Sequence, residues 1–334
     1  MAGERLLEVM NLTVNFYTDS GIVHAVDDVS FEIKKKTPVG LVGESGCGKS
    51  VTARAILNIV QVPGKLDSGN VLYYHSESED PIDLLKLDAK GKDIREYRGA
   101  KIAMIFQDPM TCLSPVHTIG NQIIESIQIH YPNVELKEAR ERAVNLLDEV
   151  GIPNSESHLK SYSFELSGGM RQRALMAVAL AAEPDLLIAD EPTTAIDVTI
   201  QAKFLDLLSK LQEERDMSVL FITHDLGVVA QVCQDVIVMY LGKVVEKGNV
   251  IEIYDNPKHP YTRLLFESIP HTDIQPKEHL AVIEGMVPDA FSRPQGCLFS
   301  DRCPDFMAGT CDVSVPPLIE VEANHYARCH LYES

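Results

Sequence analysis

The stretch "KTPVGLVGESGCGKSVTARAILNIV", Lys36 to Val60, decides the fold. Its opening, "KTPVGLVG", is a short apolar run that reads as a buried strand, and its close, "KSVTARAILNIV", has the periodicity of a helix. Between them "GESGCGKS", Gly43 to Ser50, fits G-x-x-x-x-G-K-[ST] at every fixed position. Strand, glycine-rich loop and helix in that order mark a phosphate loop and not a plain glycine turn. Gly43, Gly46 and Gly48 let the backbone wrap phosphate oxygens with no Cβ in the way. Lys49 puts a point charge on the β- and γ-phosphates, and Ser50 offers a hydroxyl to Mg²⁺. Glu44, Ser45, Cys47 and Val51 complete the binding stretch, with Cys47 at a free position of the pattern.

Outward from this loop, strands and helices alternate. Residues 6–14 and 22–33 read as strands joined by the polar turn "TDSG". Residues 66–96 are polar and turn-rich and suggest a peripheral β-hairpin. "AKIAMIF", "DLLIAD", "SVLFITH" and "VIVMYLG" are further strands. "ELKEARERAVNLLDEVGI" is an amphipathic helix with Ala143, Leu146, Leu147 and Val150 on one stripe. "RQRALMAVALAAE" and "TIQAKFLDLLSKLQEERD" are two more helices. Alternation of this kind implies an α/β fold with a largely parallel sheet.

Composition narrows the function. The chain has 334 residues, 45% of them hydrophobic and 24% charged. That is ordinary for a globular protein with roughly two domains. The net charge of −19 argues against a nucleic-acid grip and against a polybasic attachment to anionic lipid. The N-terminal "MAGERLLEVMNLTVNF" alternates and does not form the apolar block of a signal peptide. No apolar run approaches the ~18 residues that a membrane span needs. The expectation is a protein without a transmembrane segment of its own.

"DLLIADEP" supplies the acidic partner of the phosphate loop. An apolar strand delivers Asp190 and Glu191 at its C-terminal end, where ligands bind in open α/β sheets. Alone, such a pair is usually a helix cap or a solvated turn. Beside a phosphate loop, Asp190 is the candidate Mg²⁺ ligand and Glu191 the group that polarises a water. "ELSGGMRQR", Glu165 to Arg173, is a second anion-binding signal. Ser167 adds a hydroxyl, and Gly168 and Gly169 expose N–H groups where a helix begins.

These motifs together resemble the ATP-binding subunits of ABC transporters, and the resemblance spans nearly the whole chain. "LSGGM" looks like the family signature, and with "RQR" it is far more specific than the phosphate loop. The resemblance implies a P-loop (RecA-like) ATPase core, an N-terminal antiparallel β subdomain, an inserted helical subdomain at about 108–165 and a small C-terminal Cys-rich extension. It implies a head-to-tail pair of ATPase subunits, in which Ser167, Gly168 and Gly169 grip the γ-phosphate of the partner's nucleotide. Gln107 in "IFQDP" looks like the glutamine that senses Mg²⁺ and contacts the membrane partner. "TTAID", Thr193 to Asp197, looks like the D-loop, with Ile196 where Leu is commoner. His224 in "FITHD" looks like the histidine that reaches the γ-phosphate. Phe16, or else Tyr17, is placed to stack on adenine.

"QDPMTCLSPVHTIGNQI", "GESGCGKSVT" and "DEPTTAIDVTIQA" are similar to stretches of the dipeptide and oligopeptide importers. "SYSFELSGG" departs from that subfamily, which commonly has Pro-His ahead of the Glu. The implied function is ATP hydrolysis that drives peptide uptake through two separate permease subunits, fed by an extracytoplasmic binding protein. The ATPase pair is either a homodimer or a heterodimer, at the cytoplasmic face of the membrane. Nickel or another small solute is the nearer alternative cargo, and a non-transport ABC ATPase the more distant one.

Composition changes near residues 255–260, which suggests a cassette over 1–257 and an extension over 258–334. The extension holds Cys297, Cys303, Cys311 and Cys329 at spacings C-x5-C-x7-C-x17-C. In a reducing compartment such a group reads as a metal site more readily than as disulfides. The spacing lacks the C-x2-C of most structural zinc sites. Resemblance to the peptide-importer extension favours a 4Fe–4S cluster on these four cysteines, with Zn²⁺ as the alternative.

Overall fold

The computed structural model describes residues 4–75, 80–107, 112–193, 197–268, 283, 285–288 and 291–333. Along the chain the strands are β1 (Arg5–Thr18), β2 (Gly21–Lys34), β3 (Pro38–Val42), β4 (Gly64–Tyr73), β5 (Ile82–Asp83), β6 (Ile102–Ile105), β7 (Leu186–Asp190), β8 (Ser218–Thr223), β9 (Asp235–Tyr240), β10 (Lys243–Asn249), β11 (Ile319–Glu322) and β12 (His325–Ala327). The helices are α1 (Lys49–Ile56), α2 (Ile119–His130), α3 (Leu136–Glu149), α4 (Gly168–Leu180), α5 (Val198–Glu214), α6 (Leu226–Val232), α7 (Val250–Asp255) and α8 (Pro260–Glu267), with a single turn at Ser155–His158. They fall into two compact units, Met1–Leu85 with Thr223–Ser334, and Lys86–Ile222.

In the first unit, β1 and β2 form a long antiparallel hairpin, and β4 and β5 add to it in the order β2-β1-β4-β5. Both hairpin strands run longer than the sequence pattern suggests. Apolar alternation lapses at the exposed ends, but backbone pairing continues to Thr18 and Gly21. The expected hairpin within 66–96 is only partly that. β4 pairs chiefly with β1, β5 is two residues long, and Leu84–Lys86 and Asp93–Glu96 are single 3₁₀ turns.

A second sheet in this unit runs β11-β12-β10-β9-β3. β3 lies parallel to β9 and is buried at all five residues, so an uninterrupted apolar run was the right signature for it. The C-terminal hairpin β11–β12 extends the sheet through β10. The described residues beyond 258 therefore fold within the first unit. Tyr240, Tyr261 and Phe299 form its aromatic centre, with ring centroids 4.7, 5.2 and 5.3 Å apart. Glu246, fully buried, ties three segments together. Its carboxylate accepts from the backbone N–H of Lys258 (2.6 Å) and His259 (2.9 Å) and meets His325 Nε2 at 2.7 Å.

The second unit is built on parallel strands β6, β7 and β8. β7 and β8 are buried throughout. α3 buries Ala139, Ala143, Leu146 and Leu147, and Val150 at its end is buried too, which is the stripe expected from the sequence. Side chains cap the helices. Thr118 accepts from Asn121 N–H, Ser167 from Met170 N–H and Asp197 from Ile200 N–H. Among the described residues no helix is long and apolar enough to cross a membrane.

Candidate nucleotide-binding site

The phosphate loop lies in the first unit, where β3 ends and α1 begins. Gly43 has φ +148° and Gly48 φ +102°. A Cβ at Gly43 would stand 2.2 Å from Met239 O, and one at Gly48 2.1 Å from Ala25 O. These two glycines are therefore demanded by the neighbouring strands as well as by their left-handed backbone. A Cβ at Gly46 would meet nothing within 4 Å, so that face of the loop is open. Lys49 is buried, and its ammonium donates to Gly43 O (2.8 Å) and Glu44 O (3.0 Å), with Cys47 Sγ at 3.8 Å. Both of these oxygens are backbone carbonyls of the loop itself. The Cys47 thiol is pushed up by burial, against the opposing pull of Lys49. Gly242 N–H donates to Cys47 O at 2.9 Å, so the β9–β10 turn props the loop. Ser50 is half-buried in the first turn of α1 and Val51 follows it.

Two contacts on Glu44 have no counterpart in the sequence reading. Tyr261 Oη accepts from Glu44 N–H at 2.9 Å, and Arg302 pairs with the Glu44 carboxylate through both terminal nitrogens. They reach across 217 and 258 residues, and no local pattern announces them.

Phe16 is half-buried and Tyr17 is exposed on β1. The Tyr17 hydroxyl donates to Asp67 Oδ2 at 2.7 Å, an interaction that raises its pKa. A Cβ at Gly64 would lie 2.9 Å from Phe16 Cε1, so the Phe16 ring edge sits over that glycine. His224 is exposed, and the following Asp225 caps α6 through Val228 N–H.

In the second unit, β7 ends on Asp190, which is 1% exposed. Glu191 follows in the left-handed region at φ +46°, unusual for a non-glycine residue, with its N–H on Ile222 O at 2.8 Å. Gln107, just past β6, donates to Glu191 Oε2 at 2.8 Å. The structure thus brings together two of the residues picked from sequence. Ser167, Gly168 and Gly169 open α4. Ser167 and Gly168 are exposed, and a Cβ at Gly168 would meet nothing within 4 Å. Gln172, buried one turn on, donates to Pro192 O at 2.6 Å and so couples the signature helix to the acidic loop. Sequence reading passed over Gln172, although its place in "RQR" was a signal. Of the D-loop, Thr194 to Ile196 lie outside the described residues.

The expected metal centre in the extension is not borne out, either as a 4Fe–4S cluster or as zinc. Among the described residues no group of three or more His, Cys, Asp or Glu is arranged to hold a metal ion. Cys297, Cys303, Cys311 and Cys329 serve the core instead. Cys311 and Cys329 are buried, and Cys297 and Cys303 pack against the cluster around Tyr240, Tyr261 and Phe299. Burial raises the thiols of Cys297, Cys303 and Cys329, the last two to about 11. Cys297 N–H donates to Cys311 O at 2.7 Å, a backbone tie between these two segments.

The comparisons with known proteins agree with this geometry. Residues 26–194 match the profile of the ABC transporter family, and residues 245–311 match the oligopeptide/dipeptide transporter C-terminal region. The probable peptide ABC transporter ATP-binding protein of Sinorhizobium fredii is 47% identical over 97% of this chain and 94% of its own. The dipeptide transport ATP-binding protein DppD of Bacillus subtilis is 45% identical over 99% of this chain and 96% of its own. Among solved structures, a dimeric ATP-binding cassette in a post-hydrolysis state with ADP and Pi is 28% identical, with a TM-score of 0.64 over 73% of this chain and 99% of that one. A glycine loop around a buried ammonium, an acidic strand end and a serine–glycine helix start thus define an ABC ATPase cassette, and the chain belongs to the ABC transporter ATP-binding family. Within that family it belongs to the dipeptide and oligopeptide importer branch, whose C-terminal region it carries.

Proposed function

We propose that this chain is the ATP-hydrolysing subunit of a peptide importer and drives di- and oligopeptide uptake through separate permease subunits. The observation that carries the reading is the strand end in the second unit, where a buried Asp190 precedes a strained Glu191 hydrogen-bonded to Gln107. A carboxylate fixed in this way can orient a water, as phosphoryl transfer depends on positioning and charge stabilisation. Peptides are favoured as cargo because the named relatives are peptide and dipeptide transport proteins.

The donor set suits MgATP, which would supply the phosphoanhydride bond and a cation to spread its charge. Gly43, Glu44, Ser45, Gly46, Cys47, Gly48 and Val51 line the phosphates, and Lys49 binds the β- and γ-phosphates. When bound, Mg²⁺ would be held by Ser50, Gln107 and Asp190. Glu191 polarises the attacking water, and His224 reaches the γ-phosphate. Phe16 stacks on adenine, with Tyr17 as its alternative. Ser167, Gly168 and Gly169 bind the γ-phosphate of a nucleotide held by a second cassette, so two cassettes act as a head-to-tail dimer. Residues 1–257 form the cassette, with about 108–165 as the helical part that meets the permeases, and 258–334 form the extension. The assembly works at the cytoplasmic face of the membrane and receives peptide from an extracytoplasmic binding protein.

The test is Glu191→Gln. The variant should bind ATP as wild type does and lose roughly 100-fold or more in phosphate release. Turnover at the wild-type rate would remove Glu191 from its role.

A further inference from the structure

Glu44 is an acid in a loop built for anions. The phosphate-loop pattern leaves its position free, so nothing in the pattern requires a carboxylate there. A negative charge beside bound phosphates repels them unless it is cancelled. The cancelling group comes from the C-terminal region. Arg302 Nη1 lies 2.8 Å from Glu44 Oε2, and Nη2 lies 3.0 Å from Oε1, a two-pronged pair. Its side chain is only 4% exposed. The guanidinium sits 5.9 Å from the ring centroids of both Tyr240 and Phe299, and Nη1 also donates to Tyr240 Oη at 3.4 Å. The same two aromatics pack on Tyr261, whose hydroxyl accepts from Glu44 N–H. One residue of the phosphate loop is thus held at its backbone and at its carboxylate by a single buried cluster from the end of the chain.

We propose that Arg302 is a positioning residue for nucleotide binding: it orients and neutralises Glu44, and through it the C-terminal region sets the affinity of the phosphate loop for MgATP. The inference rests on the reading of Gly43 to Ser50 as the loop that holds the nucleotide phosphates. Arg302 itself needs no contact with nucleotide. Its effect is transmitted by one carboxylate, and this makes it separable from ordinary packing. If Arg302 only filled space, the charge on Glu44 would not matter once Arg302 was replaced. If Arg302 neutralises Glu44, removal of the acid should repair removal of the base.

The experiment titrates a fluorescent ATP analogue with Mg²⁺ into the full chain. The variants are Arg302→Met, Arg302→Lys, Glu44→Gln and the double variant Arg302→Met with Glu44→Gln. Methionine fills the aromatic cage without charge, and thermal unfolding checks that each variant folds. Arg302→Met should weaken binding roughly tenfold, because Glu44 is left anionic and unpaired. Arg302→Lys should fall between Met and wild type, since an ammonium keeps the charge but loses the fork. The double variant should return to within about threefold of wild type. Wild-type affinity in Arg302→Met, or a double variant as weak as Arg302→Met, would overturn the proposal. Lys49→Ala runs beside them. If it binds as wild type does, the assignment of the phosphate loop fails, a result distinct from failure of the link to Arg302.

Discussion

Two stretches of this chain are built to face an anion, and they are built in opposite ways. The loop before α1 is locked everywhere but at the open face beside Gly46. Lys49 is buried, a side chain at Gly43 or Gly48 would collide with a carbonyl of another strand, and Glu44 is held by Tyr261 and Arg302. The start of α4 is held only from behind. Ser167 and Gly168 are exposed, Ser167 bonds within its own first turn, and Arg171 anchors the helix to Ser163 O at 2.7 Å. A receptor that binds its own nucleotide gains from preorganisation by the rest of the chain. A half-site offered to another molecule needs only a rigid base and an open face. The difference in construction is the one that the two proposed roles call for.

The largest expected contrast is between one glycine in each stretch. Gly48→Ala should cost on the order of 3 kcal/mol or more in stability, because its Cβ would meet Ala25 O at 2.1 Å with the backbone at φ +102°. Gly168→Ala should change stability by less than about 1 kcal/mol, since the added carbon meets open space in a helical turn. Urea unfolding of both variants measures this directly. Equal losses would mean that the two stretches are constrained alike, and the contrast would fail.

Next comes Gly168→Asp, which alters charge where the fold tolerates atoms. A carboxylate at a helix N-terminus is compatible with the helix dipole, so the variant should fold as well as wild type. It should bind nucleotide within about twofold of wild type and hydrolyse it roughly 100-fold more slowly. Binding measured by titration and turnover measured by phosphate release separate these outcomes. If binding falls as far as turnover, the start of α4 belongs to the chain's own nucleotide and the half-site reading is lost.

The same contrast explains what could be read from sequence. The phosphate loop, the acidic pair and the signature are contiguous, and each is a local arrangement of backbone and a few side chains. Their residue types therefore survive as a pattern. β3, β7 and β8 were legible because full burial demands unbroken apolar runs. What locks the phosphate loop was not legible. Tyr261 and Arg302 reach Glu44 through tertiary packing, and neither stands out from its neighbours in the chain. The cysteines misled for a related reason. Spacing is shared by a ligand set and by buried thiols in a small core, and only burial and mutual placement tell them apart.

The smallest expected effect sharpens the contrast through pH. His259 is the N-cap of α8, where its Nδ1 accepts from Tyr261 N–H at 3.0 Å. Burial pushes it down to about 4, with Glu246 opposing, from an ordinary value of 6.5. The unfolded chain therefore takes up a proton at His259 as pH falls below 6.5, while the folded chain stays neutral there until about 4. The stabilisation is whole above pH 6.5 and is lost progressively between 6.5 and 4. Asn caps a helix without titrating in this range. His259→Asn should therefore show a shallower fall in stability over that window than wild type, in urea unfolding from pH 7 to 4.5. α8 carries the hydroxyl that bonds Glu44 N–H, so acid should also loosen the grip on the phosphate loop. Nucleotide affinity of the wild type should then decline more steeply with acid than that of His259→Asn. Parallel pH profiles for the two proteins would show that the cap and the loop are not linked in this way.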